Sequence, residues 1–175
     1  MNDLKKESSV AIKIAKLEDF VDLYLCAGDF IDFIQNFKKK FYERKLFILN
    51  AIFNGVLAGV LISEDESRII DSIDKIIPTM HLYLIYVNPT YRNKKIGKIL
   101  LDKFITYAKT KGIGSIYIKL PEKYKNGIKF FERCHFQVED VNGSEVILHL
   151  NLWNDYGVRN CEIVDDDLNN HFTTD

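Results

Sequence analysis

LYLIYVNPTYRNKKIGKILLDKFI, at residues 82–105, is the stretch of this chain that decides its fold. Aromatic and branched side chains from Met80 to Val87 are typical of a strand, which Asn88-Pro89 ends. Apolar residues then recur at helical spacing until Gly112. The stretch therefore predicts a strand, a turn and a long helix in direct succession.

Upstream of this stretch, the pattern predicts one strand and two helices. Alternation over Val10–Ile14 is typical of a half-buried strand. Helical spacing continues through Leu17–Tyr24 and, after an interruption at Gly28, through Phe30–Phe41. We expect these two helices to form a kinked pair.

Two Asn-Gly pairs predict β-hairpins, because this dipeptide between β-rich runs favours a tight two-residue turn. One hairpin joins Leu46–Phe53 to Val56–Ile62, and the other joins Phe136–Val141 to Val146–Leu152. Ser115–Leu120 is a further predicted strand. With a short helix at Asn126–Arg133, the predicted order is β α α β β β α β α β β.

Length and composition indicate one domain. The chain has 175 residues, of which 47% are hydrophobic and 28% are charged. Residues 1–152 are expected to form this domain, and residues 153–175, which are acidic and without apolar periodicity, a mobile tail. Residues 64–79 indicate an irregular connection with one helical turn near 69–76.

Cysteine spacing, hydropathy and charge exclude several classes of protein. Cys26, Cys134 and Cys161 are odd in number and far apart, which argues against a disulfide framework or a zinc site. No apolar run is long enough for a signal peptide or a membrane span. The net charge of −1 disfavours nucleic-acid binding. We expect a cytoplasmic monomer or homodimer without a metal.

The turn at residues 88–98 carries the chemistry that the sequence predicts. The first amides of a helix lack intrahelical partners and carry partial positive charge, which stabilises a phosphate placed there. Gly97 would allow close approach, and Lys94, Lys95 and Lys98 add charge. A basic helix start on a solvated face would give the same pattern. Neither a Walker loop nor a G-x-G-x-x-G fingerprint is present.

The series Val87-x-Pro89-x-Tyr91-Arg92-x-x-Lys95-x-Gly97 resembles the signature of the GNAT superfamily of N-acetyltransferases, V-x-P-x-[YF] followed by [RQ]-x-x-G-x-[GA]. The resemblance extends over roughly residues 10–150 and includes the segment Phe130–Phe136. It implies an α/β (α+β) fold with a mixed, mostly antiparallel sheet of about seven strands and about four helices. It also implies acetyl-CoA as cosubstrate.

The resemblance implies a set of cofactor contacts. The backbone of Ile85, Tyr86 and Val87 would pair with the pantetheine arm like an added strand. The amides from Arg92 to Lys98 would hold the pyrophosphate, and this set is Arg92, Asn93, Lys94, Lys95, Ile96, Gly97 and Lys98. Asn126 and Phe131 are the remaining cofactor-site candidates.

Four positions depart from the family pattern. Lys95 replaces its first glycine, so a left-handed conformation there would be strained. Phe131 stands where many members have the tyrosine that protonates the departing thiolate. Tyr124 and His135 replace an asparagine and a glycine. A thiol with a pKa of about 8.5 is already a fair leaving group, so activity could survive.

His81 is the candidate base, because it matches a strand position that holds a glutamate base in one branch of the family. By strand alternation, His81 should share a face with Tyr83, Ile85 and Val87. An imidazole suits proton removal directly or through water. The alternative is a histidine that meets solvent or a backbone carbonyl.

Three tyrosines are secondary candidates around this base. Tyr83 is the second residue of the predicted catalytic pair, and it suits a pocket wall better than a proton donor. Tyr117 and Tyr124 are possible substitutes for the missing tyrosine, although aromatic residues on strands usually serve packing.

The resemblance places the acceptor near residues 26–32 and 141–145. Carboxylates near these loops would favour a cationic amine, and they are Asp29, Asp32, Glu139, Asp140 and Glu145. The predicted function is acetyl transfer from acetyl-CoA to a primary amine by direct attack. The amine could be a protein N-terminus, a lysine, a polyamine or another small amine. The alternative is an acyl-CoA-binding sensor or partner subunit that has lost catalysis.

Overall fold

The computed structural model describes residues 9–67 and 78–153, which form one mixed α/β unit. The strands are β1 (Val10–Ile14), β2 (Leu46–Phe53), β3 (Val56–Asp65), β4 (Thr79–Val87), β5 (Ser115–Pro121), β6 (Gln137–Asn142) and β7 (Glu145–Asn151). The helices are α1 (Phe20–Ile31), α2 (Phe37–Tyr42), α3 (Ile96–Thr110) and α4 (Lys125–Arg133). The predicted element order, both hairpins and the strand, turn and helix of residues 80–110 are confirmed.

The seven strands form one sheet in the order β1-β2-β3-β4-β5-β7-β6. Neighbouring strands are antiparallel except β4 and β5, which are parallel. The connection between this parallel pair runs through α3, as parallel strands require a long crossover. The sheet is therefore mixed and mostly antiparallel, as expected from the resemblance.

The two helices predicted before β2 differ from the structure in their bounds. α1 continues through Gly28 to Ile31 with a kink at Ala27, whose φ is −139°. The chain then turns, and α2 begins only at Phe37, after Asn36 in a left-handed conformation (φ 57°). The prediction of one helix over residues 30–41 is wrong, because apolar side chains in this turn continue the helical spacing without a helical backbone.

The sheet buries a hydrophobic cluster on each face. Alternate residues of β2 and β3 point to opposite sides, so Ile48 and Ile62 pack with α1 and α2, whereas Leu49 and Leu61 pack with α3 and α4. Each fully buried aliphatic side chain of this kind stabilises the fold by about 1.5–3 kcal/mol. The helices on the two faces thereby hold the central strands between them.

Gly59 on β3 permits α3 to lie directly on the sheet. A Cβ at this position would come within 2.8 Å of the Tyr86 carbonyl oxygen and 3.3 Å of Ile96. Only glycine allows this approach, since such a contact with backbone is shorter than side chains tolerate. The start of α3 is thus fixed against β3 and β4.

Two predictions fall on parts of the chain that the structure does not describe. The helical turn near residues 69–76 lies outside the described residues, and so does the predicted tail except for Trp153. The indole of Trp153 lies against Gly114, where a methyl group would overlap it. No helix within residues 9–67 and 78–153 is long and apolar enough to cross a membrane.

Candidate active site

β4 and β5 separate in the middle of the sheet. They pair only through Thr79–His81 and Ser115–Tyr117, while β4 continues to Val87 along β3 and β5 continues to Pro121 along β7. The edge of β4 that faces β5 beyond His81 is therefore not paired by that strand. A cleft between the two diverging strands results.

A β-bulge lies at the point where β4 leaves β5. Ile62 pairs with Leu84 and the next residue, Ser63, pairs with Leu82, so Tyr83 is the extra residue on β4. A bulge redirects side chains and bends the strand. It lies within two residues of His81.

The bulge corrects the predicted face of β4. His81 and Tyr83 lie together, with ring centroids 4.1 Å apart, on the side of α1 and α2. Ile85 and Val87 instead pack with the opposite cluster, beneath α3. The expectation that all four share one face is wrong, because the extra residue shifts the alternation by one position.

His81 is held among polar and aromatic neighbours at the end of the paired segment. Its side chain is 13% exposed, and its Nδ1 lies 3.4 Å from Oε1 of Glu66. The imidazole stacks on Tyr117, with ring centroids 4.4 Å apart, and the Tyr117 hydroxyl donates to Glu66. Burial lowers the pKa of His81, and the Glu66 carboxylate offsets part of this effect. The imidazole is therefore neutral at pH 7.

Lys40, Glu64 and Tyr83 form a second polar group next to His81. The Lys40 ammonium donates to Glu64 at 2.5 Å and to the Tyr83 hydroxyl at 2.9 Å. The Tyr83 hydroxyl donates to the same Glu64 oxygen at 2.5 Å. Burial and the bond to Glu64 raise the pKa of Tyr83, which makes it a poor acid at neutral pH.

The turn before α3 has the backbone of an anion site. A single 3-10 turn, Pro89–Tyr91, is capped by the Asn88 side chain, which accepts from the Thr90 amide at 3.0 Å. Asn93 and Lys95 then adopt left-handed conformations with φ of 63° and 60°. Left-handed residues within a turn direct neighbouring backbone amides to the same side. The N-cap of α3 is Lys95, whose side chain makes no hydrogen bond to the first amides of the helix.

The basic side chains of this turn have partners within the protein. Lys98 forms an ion pair with Asp102, and the Lys94 ammonium lies 5.1 Å from the centroid of the Phe53 ring. The Arg92 Nε donates to the Val87 carbonyl at 3.3 Å. All three side chains are exposed. The structure thus brings the predicted cations to one turn at the mouth of the cleft.

Gly97 lies at the meeting point of β4, α3 and α4. A Cβ there would lie 3.7 Å from Val87, 3.8 Å from Phe130 and 3.9 Å from Ile85, which are ordinary contacts. The protein itself therefore has room for a side chain at this position. Gly97 is not required by the packing of the fold.

The two aromatic residues of α4 lie in different surroundings. Phe131 is 4% exposed and packs between Phe130 and Phe136, so its ring belongs to the core. Phe130, and not Phe131, approaches Gly97. Asn126 is exposed in the first turn of α4, and Tyr124, which precedes the helix, is 47% exposed.

Three residues of this site were not found from the sequence, namely Lys40, Glu64 and Glu66. Glu64 and Glu66 lie in a segment that the sequence predicts to be an irregular connection, whereas β3 in fact extends to Asp65. Glu64 pairs with His81 across β3 and β4, but these strands are not joined by a hairpin and their register is shifted by the bulge, so no local signal in the sequence places the two residues together. The five carboxylates predicted near the acceptor are exposed.

Comparisons with known proteins agree on one family. A model described as the acetyltransferase (GNAT) family matches residues 16–136. Over 101 residues the chain is 33% identical to spermidine N(1)-acetyltransferase of Thermoplasma acidophilum, an alignment that covers 57% of this chain and 59% of that protein. The chain spans about three fifths of the length of the curated relatives it matches.

Solved structures share the fold. The PaiA N-acetyltransferase of Thermoplasma acidophilum in complex with coenzyme A has a TM-score of 0.63 at 22% identity, over 82% of this chain and 99% of that chain. A GNAT family acetyltransferase from Elizabethkingia anophelis with acetyl-CoA bound has a TM-score of 0.63 at 15% identity, over 84% and 100%. The overall fold of this chain is therefore shared by one protein in complex with coenzyme A and one with acetyl-CoA bound.

Proposed function

Since this chain belongs to the acetyltransferase (GNAT) family, we propose that it transfers an acetyl group from acetyl-CoA to a primary amine by direct attack. The observation that carries this proposal is the divergence of β4 from β5 directly after His81. The resulting cleft has the partly buried imidazole of His81 at one end and the amides of the α3 turn at the other. A long thioester cofactor with a pyrophosphate at its far end has the matching chemistry.

The cofactor contacts follow from this arrangement. The edge of β4 at Ile85, Tyr86 and Val87, which β5 does not pair with, would receive the amide groups of the pantetheine arm, as an added strand does. The turn from Arg92 to Lys98 would hold the pyrophosphate through backbone amides and the dipole of α3. Asn126 and Phe131 would contribute from α4, Phe131 only as part of the apolar wall.

His81 would remove the proton from the attacking amine. Its lowered pKa keeps the imidazole neutral, and the contact of Nδ1 with Glu66 favours the tautomer whose Nε2 can accept a proton. The amine nitrogen then attacks the thioester carbonyl, a C–N bond forms and the C–S bond breaks. Amides of the bulged strand would polarise the carbonyl oxygen.

The departing thiolate would take its proton from a group other than Phe131, which has none to give. The Tyr83 and Tyr117 hydroxyls both donate to carboxylates, so neither is oriented as an acid toward the cleft. Tyr124 is exposed beyond the end of β5. Solvent or Tyr124 would therefore supply this proton, and loss of a positioned acid typically costs about 10²–10⁴-fold in rate.

Acetyl-CoA titration by calorimetry, followed by CoA release with a panel of amines, tests this function. The panel should include spermidine, because a relative at 33% identity is named for it, together with lysine and peptides with free N-termini. We expect binding of acetyl-CoA and turnover of at least one amine. Absence of binding would contradict the proposal.

The buried position of Phe131 favours one second candidate, an acyl-CoA-binding sensor without catalysis. Phe131 has no hydroxyl, so the acid that many family members have at this position is missing. The ring is also enclosed by its aromatic neighbours, so a small rotation of the side chain would not bring it to the cleft. Tight binding of acetyl-CoA without acetylation of any amine would support this candidate over the enzyme.

A further inference from the structure

A built cation site lies beside His81, formed by Glu64 and Tyr83 and filled by Lys40 of the same chain. The Lys40 Nζ lies 2.5 Å from the Glu64 Oε2, 2.9 Å from the Tyr83 hydroxyl and 5.1 Å from the centroid of the Tyr83 ring. A carboxylate, a phenol and an aromatic face are the groups that recognise an alkylammonium ion. The site would suit the ammonium of another molecule equally well.

This cation site is largely withdrawn from water. The exposed fraction is 23% for the Lys40 side chain and 14% for Glu64. Burial disfavours the charged form of both groups, but their mutual hydrogen bonds stabilise the charged forms by more. The pKa of Lys40 is therefore raised and that of Glu64 is lowered. Both groups are charged at neutral pH. Glu64 therefore always needs a cation here, since an unpaired buried carboxylate is costly.

The cation site adjoins the proposed base. Glu64 pairs with His81 across β3 and β4, and the Tyr83 ring lies 4.1 Å from the imidazole between centroids. One aromatic ring thus separates the ammonium from His81. A molecule with two amino groups on a flexible chain could present one to His81 and the other to Glu64.

Lys40 can be exchanged without leaving Glu64 unpaired. It reaches the site from α2 through four flexible methylenes, and its neighbour Lys39 already extends into solvent with 72% of its side chain exposed. Replacement of one ammonium by another conserves the charge of the site. The energetic cost of exchange is therefore far below that of simply removing Lys40.

We propose that Glu64 and Tyr83 form the subsite for the second, charged amino group of a diamine or polyamine acceptor, and that Lys40 is the resident cation which this group displaces. The inference rests on the proposed acetyl transfer and specifies its acceptor. Lys40 competes with the acceptor for Glu64, so it limits the preference for diamines over monoamines.

The ratio of kcat/KM for 1,4-diaminobutane over n-butylamine tests this subsite, because the two amines differ only in the second amino group. Lys40→Met retains the aliphatic packing and removes the competitor, and it should raise the ratio at least about fivefold. Lys39→Met on the same helix should leave the ratio at the wild-type value. Adding Glu64→Gln to Lys40→Met should abolish the gain.

An unchanged ratio in Lys40→Met, or a gain that persists without Glu64, would overturn the subsite. Calorimetric titration of 1,4-diaminobutane into the CoA complex gives a second readout that needs no turnover. Lys40→Met should bind the diamine more tightly than the wild type by a similar factor. If Lys40→Met binds the diamine more tightly but no amine is acetylated, the transfer proposal fails and the subsite stands. If Lys40→Met and the wild type bind the diamine equally, the subsite is refuted.

Discussion

The Nδ1 of His81 lies 3.4 Å from the Oε1 of Glu66, the residue that follows the end of β3. The same carboxylate accepts a hydrogen bond from Tyr117, whose ring stacks on the imidazole. The orientation of the proposed base is therefore set by a contact between the ends of two strands. In the proposed transfer, this contact leaves the Nε2 of His81 to accept the proton of the amine.

Glu66→Gln should move the acidic limb of the kcat/KM profile to lower pH. Burial lowers the pKa of His81 and the Glu66 carboxylate raises it, so removal of this charge lowers the pKa further, with Glu64 as the remaining carboxylate that raises it. Glutamine keeps an acceptor oxygen for Nδ1, so the rate at pH 8 should fall less than about fivefold. At each pH, kcat/KM is calculated from the concentration of the neutral amine. Protonation of the acceptor itself therefore does not contribute to the profile.

Tyr117→Phe is the matched control for this profile. It removes the hydroxyl that donates to Glu66 but keeps both the stacked ring and the carboxylate charge. The limb should move less than in Glu66→Gln. An acidic limb that stays in place in Glu66→Gln would show that His81 is not the titrating base.

Gly97→Ala should weaken CoA binding without weakening the fold. The nearest atoms to a new Cβ lie at 3.7 Å or more, and alanine favours a helix over glycine. If a pyrophosphate lies against the first turn of α3, the methyl group meets it, and the Kd of CoA should rise at least about tenfold. Calorimetry gives the Kd, and thermal unfolding shows whether the fold is intact. Equal affinity with an unchanged Tm would exclude close approach at Gly97.

Lys95→Gly and His135→Gly should each stabilise the protein by about 1 kcal/mol, because both residues are left-handed, with φ of 60° and 70°. The family pattern has glycine at both positions. This chain instead has a residue with a side chain where the backbone conformation favours glycine. Urea unfolding measures the change. Lys94 is not left-handed, so Lys94→Gly should lower the free energy of unfolding. If all three substitutions destabilise the protein, Lys95 and His135 are not strained.

Gly59→Ala should destabilise the fold by about 1–3 kcal/mol, since its Cβ would approach the Tyr86 carbonyl to 2.8 Å and crowd α3. Gly127→Ala is the matched control, because the nearest atom to its Cβ is 3.7 Å away. It should be neutral or stabilising. Chemical denaturation of both variants compares them directly, and equal stabilities would contradict the close packing of α3.

The local sequence pattern predicts much of this fold, whereas contacts between distant residues appear only in the folded chain. Asn54-Gly55 and Asn142-Gly143 predict their hairpins because each turn depends on the dipeptide itself. Asn88-Pro89 likewise marks the end of β4. In contrast, the turn before α2 depends on Asn36 adopting a left-handed conformation within an apolar pattern that also fits a helix.

The candidate site is predictable only where it depends on a single segment. The turn at residues 88–98 is such a segment, and the family pattern, which has glycine at position 95, predicts strain there if Lys95 is left-handed, as it is. The bulge at Tyr83 depends on how β3 pairs with β4, and no periodicity in β4 alone reveals it. The contact of Lys40 with Glu64 joins residues 24 positions apart, so it too appears only in the folded chain.

The most direct test of the proposed transfer measures, by mass spectrometry, the N-acetyl amine that the wild type and His81→Ala form from acetyl-CoA. We expect acetylated product with the wild type and a rate about 10²-fold lower with His81→Ala at pH 7, with acetyl-CoA still bound. Equal rates for the two proteins, or acetyl-CoA that stays intact with every amine, would contradict it.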